Sequence, residues 1–175
     1  ICAAARALED EGYRFVYGFE EALGSSVGTV VRDKDGIGAA VAFADLVRAL
    51  ANDGQMVQDR LTELALTHGL WISTQLSVDR PGSQGLAEIA AAMASLSGRI
   101  PQTLAGHEVV AVTDYREDVA ARPAWLGHHD LVEYSLSDGR AMIRPSGTEP
   151  KVKVYVDLRA EVAAGDDLAA VEARL

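Results

Sequence analysis

The chain has 175 residues, 49% hydrophobic and 24% charged, which fits one ordinary domain or two small ones and excludes disorder as the dominant state. Its 16 Lys and Arg against 26 Asp and Glu leave a formal charge of −10. That balance argues against a nucleic acid or any other polyanion held by bulk charge, so an anionic ligand has to be caught by a few local groups. The single cysteine, Cys2, excludes an internal disulfide framework and fits a reducing, cytoplasmic setting. No stretch approaches the roughly 20 apolar residues of a membrane span, so no membrane partner is expected. The first ten residues carry neither an initiator Met nor the basic start of a signal peptide, and the chain is expected to be part of a longer one.

In chain order, Ala3 to Glu11 reads as an Ala-rich helix stopped by Gly12. Tyr13 to Tyr17, aromatic and β-branched, reads as a strand running into the polar loop Gly18 to Gly24. Helix, strand and Gly-bounded loop form the grammar of an α/β unit, whose ligand loops sit at strand carboxyl ends. A second loop, Arg32-Asp33-Lys34-Asp35-Gly36, leads into an apolar segment from Ile37 to Leu50, expected to be a well-buried helix broken by Asn52-Asp53-Gly54. Met56 to His68 is a further helix with Gly69 as its stop. In Leu70 to Val78 the alternation of apolar and polar residues predicts a strand with one buried face. The punctuation Asp79-Arg80-Pro81-Gly82-Ser83 then places a domain boundary, dividing the chain into residues 1–79 and 80–175.

The second part opens with a helix from Gln84 to Leu96 and a β-rich run from Val109 to Tyr115, followed by an irregular tract from Arg116 to Asp130. Leu131 to Ser137 and Arg140 to Arg144 read as a hairpin about an Asp138-Gly139 turn. Val152 to Leu158 is a third strand, and Asp166 caps a final helix. The fold class is therefore α/β plus α+β, with a small antiparallel sheet in the second part.

Between the last two strands lies Arg144-Pro145-Ser146-Gly147-Thr148-Glu149-Pro150-Lys151. Pro145 extends Arg144, and Gly147 opens backbone dihedrals that let consecutive amides converge. Ser146 and Thr148 add hydroxyls, and Arg144 adds a two-pronged donor suited to phosphate. Strand parity puts Lys153 on the face away from Val152 and Val154, where it can approach the same anion. From the residues alone, the segment reads equally as a phosphate site or as a plain β-turn with a solvated arginine.

This octapeptide resembles the phosphate-binding loop in the last domain of the α-D-phosphohexomutase superfamily, the phosphoglucomutases and phosphomannomutases. Gly18 to Gly24 resembles that family's sugar-binding loop in the third domain, and Arg32 to Gly36 resembles the Arg-(Asp/Glu)-Lys-Asp-Gly segment after it. Three motifs in the family's order are far more specific than any one alone. The resemblance implies the end of a mixed α/β third domain followed by a small α+β fourth domain. It implies an enzyme that moves a phosphoryl group between the 1- and 6-hydroxyls of a hexose, through a phosphoserine and a hexose 1,6-bisphosphate, with Mg²⁺ bound.

By that resemblance Arg144, Ser146, Gly147 and Thr148, assisted by Lys153, clamp the non-reacting phosphate of a sugar phosphate. Glu20 accepts hydrogen bonds from sugar hydroxyls with Glu21 in support, as an acceptor-only carboxylate can. Lys34 matches a lysine assigned to proton transfer. Asp33 and Asp35 beside it favour the charged amine, which leaves electrostatic stabilisation of the transferring phosphoryl group as its other role. Ala22 stands where the family often has Ser. The family's reactive serine loop and its Asp-rich Mg²⁺ loop match nothing in this sequence, so the chain is expected to lack a metal site and turnover and to require N-terminal domains of the same protein. A stand-alone sugar-phosphate-binding regulatory module, or a parent acting on phosphopentoses or making hexose bisphosphates, is the alternative.

Of the remaining polar residues, His68 reads as a helix-end group, and His128-His129-Asp130 as a poor metal site, since adjacent side chains point apart. Trp71 and Trp125 are expected in packing or domain contacts.

Overall fold

The computed structural model describes every residue except Glu21, Ala22, Ser97 and Arg99. It divides into two compact units, residues 1–63 and 64–175.

The first unit begins with helix α1 (Cys2–Asp10). A two-stranded antiparallel hairpin follows, β1 (Tyr17–Glu20) and β2 (Gly24–Val27), paired from Tyr17 with Val27 to Glu20 with Gly24. This corrects the expected strand over Tyr13 to Tyr17. The strand lies further on, inside the segment read as a loop, because Gly18 to Glu20 find partners across the turn and Tyr13 to Phe15 find none. Helix α2 (Gly36–Asn52) starts at Asp35, whose carboxylate accepts from the Gly38 amide at 2.9 Å. Its expected burial is corrected as well: Ile37 is 83% exposed and Phe43 55%, and only Leu50 is buried. It meets β2, but most of its apolar side chains stay open to solvent. Helix α3 (Val57–His68) crosses the division between units and ends at Gly69, whose φ of +84° a residue with a side chain would adopt only at a cost.

The second unit is a six-stranded antiparallel sheet in the order β3-β8-β7-β6-β5-β4. Its strands are β3 (Leu70–Asp79), β4 (Thr103–Leu104), β5 (His107–Asp114), β6 (Val132–Leu136), β7 (Gly139–Pro145) and β8 (Lys151–Ala160). Strands β4 to β8 form a meander, and β3 adds to its far edge by pairing with β8 from Leu70–Ala160 to Asp79–Lys151. Helix α4 (Ser83–Leu96) covers one face. Ile89 and Met93 from the helix meet Val132, Tyr134, Leu136, Ala141 and Leu158 from the sheet, and Val132 is fully buried. Burying a side chain of this kind is worth about 1.5–3 kcal/mol. Helix α5 (Leu168–Glu172) lies against β3 and buries Val171.

Strand β3 belongs to the second sheet, and the compact units divide after Glu63. Three smaller expectations are corrected, beginning with this strand. Its apolar face is covered only at its start, leaving Leu76 and Val78 exposed because α4 does not reach that edge. The hairpin turn is Ser137-Asp138, with Leu136 paired to Gly139. Gly139 is needed for closeness, since a Cβ there would run into the Asp157 carbonyl of β8. Asp167 caps α5 by accepting from Ala169, while Asp166 closes the preceding turn onto the Ala163 amide. Trp71 is 54% exposed and Trp125 38%.

Candidate functional site

Each unit carries one cluster of candidate residues. In the first unit, the loop after β2 is laced to that strand by two hydrogen bonds. The Asp35 amide donates to the Ser25 carbonyl at 2.6 Å, and the buried Ser26 hydroxyl donates to the Asp33 carbonyl at 3.0 Å. Arg32 ties the same loop to α1 through Glu9 at 2.6 Å. Lys34 is thereby held above the end of β1, with its Nζ 3.7 Å from a Glu20 carboxylate oxygen and 3.7 Å from Asp33. Both side chains cross over Gly24. A Cβ at Gly24 would lie 2.7 Å from Lys34 Cδ and 3.0 Å from Glu20 Oε2, so the absence of a side chain makes the juxtaposition possible. Glu20 and Lys34, fourteen positions apart in sequence, thus form one acceptor-and-cation pair open to solvent. Glu21 and Ala22 lie outside the described residues.

In the second unit, the segment from Ser146 to Pro150 joins β7 to β8. Its base is closed by the Ser146 amide donating to the Lys151 carbonyl at 2.8 Å, and its far side by the Arg80 amide donating to the Pro150 carbonyl at 2.8 Å. Among the described residues, the consecutive amides of Gly147, Thr148 and Glu149 make no backbone hydrogen bond. A run of such amides is what an anion-binding backbone turn offers. Gly147 does not adopt the left-handed dihedral expected for it. A Cβ there would meet nothing within 4 Å, so its glycine keeps open space in front of the amides.

Arg144 and Lys153 are direct cross-strand partners on β7 and β8, so both side chains leave the sheet on the face opposite Ile143 and the core. Among the described residues neither makes an ion pair within 4.0 Å. The contrast with their neighbours is sharp. Arg140 is held by Asp157 at 2.7 Å, Arg116 by Asp114 at 2.6 Å, and Lys151 by Glu149 at 2.6 Å. The Lys151 contact draws the exposed Glu149 carboxyl below the ordinary range, chiefly through the hydrogen bond, and pushes the Lys151 ammonium above its own. In an acidic chain, two adjacent cations with no carboxylate within 4.0 Å leave positive charge available for a ligand, although the Lys153 charge also helps to lower the Glu149 carboxyl.

The loop separates two open cavities. One, of about 620 Å³, is lined by Arg144, Pro145, Ser146 and Gly147 on one side and His129, Asp130 and Leu131 on the other. The other, of about 470 Å³, is lined by residues 146–150 with Gly82 and Leu86. Arg144, Ser146 and Gly147 therefore share the first cavity, Thr148 lines the second, and Lys153 lines neither.

Residues 78–175 match the family described as phosphoglucomutase/phosphomannomutase, C-terminal domain. The chain belongs to the phosphoglucomutase/phosphomannomutase family. A probable phosphomannomutase of Haemophilus influenzae is 38% identical over 82% of this chain and 28% of its own length. A phosphoglucomutase of Staphylococcus haemolyticus is 32% identical over 92% of this chain and 30% of its own. A probable phosphoribomutase of Schizosaccharomyces pombe is 31% identical over 89% and 28%. The open form of the Paramecium phosphoglucomutase pp63/parafusin shares the fold, with a TM-score of 0.63 at 20% identity over 95% of this chain and 29% of that one. The chain thus spans about 30% of the length of the curated relatives it matches.

Two residues of this mutase-family chain escaped the motif reading: His129 and Asp130, which line the Arg144 cavity. The signal was present in the hairpin. With Leu136 opposite Gly139 and Val132 opposite Ile143, continuing the register brings residues 129–131 beside 144–146. Setting the turn at Asp138-Gly139 slides that pairing by two residues, to 146–148, and hides only the approach to Arg144.

Proposed function

We propose that this chain is the C-terminal portion of a phosphohexomutase that interconverts hexose 1-phosphate and hexose 6-phosphate through a phosphoserine and a hexose 1,6-bisphosphate. The observation that carries this reading is the pairing of three open amides, at Gly147 to Glu149, with the unpaired cations Arg144 and Lys153. Arg144 gives a bidentate grip on the non-reacting phosphate, the Ser146 and Thr148 hydroxyls and the Gly147 amide complete it, and Lys153 adds charge at the side. Glu20, with Glu21, accepts hydrogen bonds from the sugar hydroxyls.

Lys34, between two carboxylates, works as a cation that offsets charge on the transferring phosphoryl group. The described residues gather no set of three or more acidic, histidine or cysteine side chains. Mg²⁺ and the reactive serine belong, in this reading, to N-terminal domains of a cytoplasmic enzyme. Among the described residues no helix is long and apolar enough to cross a membrane. The phosphoribomutase relative supports a second reading, a parent that takes a pentose phosphate.

Calorimetric titration with glucose 1-phosphate tests the clamp. The unaltered chain binds, and Arg144→Ala loses at least about tenfold in affinity, the size of a hydrogen bond to a charged group. Equal affinity in the two proteins contradicts the proposal. A coupled mutase assay on the chain alone gives no turnover; measurable turnover would sink the reading of it as an incomplete catalyst.

A further inference from the structure

The cavity in front of Arg144 has a second wall that the phosphate loop does not supply. His129 and Asp130 stand across it from Arg144, Ser146 and Gly147. Their position is fixed from both sides. The His129 amide donates to the Tyr115 carbonyl at 3.2 Å, and the Leu131 amide donates to the His129 carbonyl at 2.9 Å, immediately before β6 begins. Arg116, anchored on Asp114 at 2.6 Å and on the Met93 carbonyl at 2.9 Å, lies 3.8 Å from the Asp130 carboxylate. The two residues are thus part of a braced strand entrance, and both remain solvent-facing.

Chemically the two walls differ. The loop wall is all donors: a guanidinium, a hydroxyl and amides. The other wall pairs an imidazole with a carboxylate. An ionised carboxylate only accepts hydrogen bonds and repels a phosphate dianion, so it is misplaced in a pocket for bare phosphate. It is well placed if the ligand brings a hydroxyl close to its phosphoryl group.

Resting on the reading of this loop as a phosphate clamp, we propose that His129 and Asp130 make the Arg144 pocket selective for phosphate monoesters that carry a nearby hydroxyl. His129 donates to a phosphoryl oxygen, and Asp130 accepts from the hydroxyl. The selectivity is built into the last domain and does not depend on Glu20.

Titration of the chain with methyl phosphate and with glucose 6-phosphate, in four proteins, tests this. The unaltered chain binds glucose 6-phosphate more tightly than methyl phosphate. Asp130→Asn weakens glucose 6-phosphate by about tenfold and leaves methyl phosphate unchanged or tighter, because a repelling charge is gone. His129→Ala weakens both ligands by a similar factor. Arg144→Ala weakens both severely. If Asp130→Asn leaves the ratio of the two affinities unaltered, or His129→Ala changes neither, the selectivity proposal is overturned while the clamp stands. If Arg144→Ala changes neither ligand, or the unaltered chain binds neither, the clamp itself fails. Melting curves of the Asp130 and His129 variants matching the unaltered chain show that the differences arise in the pocket.

Discussion

Met93 and Phe43 are both large apolar residues on helices, and their surroundings are opposite. Met93 on α4 is 3% exposed against a six-stranded sheet, whereas Phe43 on α2 is 55% exposed in a unit whose sheet has two strands. The last unit closes a core of its own, and its loop of residues 146–150 joins two paired strands. The first unit holds its Glu20–Lys34 pair through hairpin hydrogen bonds, with little hydrophobic support. An apolar helix face of that extent is unusual on an open surface.

The largest expected effect tests this contrast directly. Met93→Ala removes buried volume and costs about 3 kcal/mol in urea denaturation. Phe43→Ala stays within about 0.5 kcal/mol, as a surface change does. Equal costs would mean that α2 is packed in solution and the contrast is false.

Two glycines sharpen the picture within the second unit. Gly139→Ala pushes a methyl into the β8 backbone at Asp157 and costs about 2 kcal/mol, read from the shift in denaturation midpoint. Gly147→Ala meets nothing, leaves that midpoint within about 0.5 kcal/mol, and weakens sugar-phosphate binding by crowding the open amides. A destabilised Gly147→Ala protein would show that the glycine serves the turn and not a ligand.

The smallest effect concerns Asp157. Burial alone would raise its carboxyl, but hydrogen bonds from Ser73 at 2.6 Å and Arg140 at 2.7 Å outweigh that and lower it below the usual 3.8. A lowered carboxyl stabilises the fold above its unfolded value and loses that contribution as pH falls through the folded one. Below about pH 4 the unaltered chain therefore loses stability that Asp157→Asn, weaker by about 1 kcal/mol at neutral pH, has already lost. Parallel pH profiles for the two proteins would remove Asp157 from the account.

The loop between β7 and β8 and the shared face of Arg144 and Lys153 were legible in the sequence, because Pro, Gly and strand parity act locally. The sequence concealed what depends on partners. Tyr13 to Val16 has the residues of a strand, yet the pairing forms from Tyr17 onward, where β2 is available. Apolar composition in α2 signalled burial, but composition does not say which residues provide it. A one-residue error in the Ser137-Asp138 turn slides residues 129–131 from opposite 144–146 to opposite 146–148, which keeps them on the loop but takes them off Arg144.

The pairing of β3 with β8 has a consequence for biosynthesis. Leu70 meets Ala160, ninety positions later, so β3 emerges from the ribosome long before its only neighbour in the sheet exists. Until β8 is translated, a ten-residue strand with unsatisfied amides and carbonyls waits at the edge of a nascent domain, exposed to pairing with other chains. Slow translation of the stretch between them would lengthen that hazard, and a holdase that recognises extended polypeptide would shorten it.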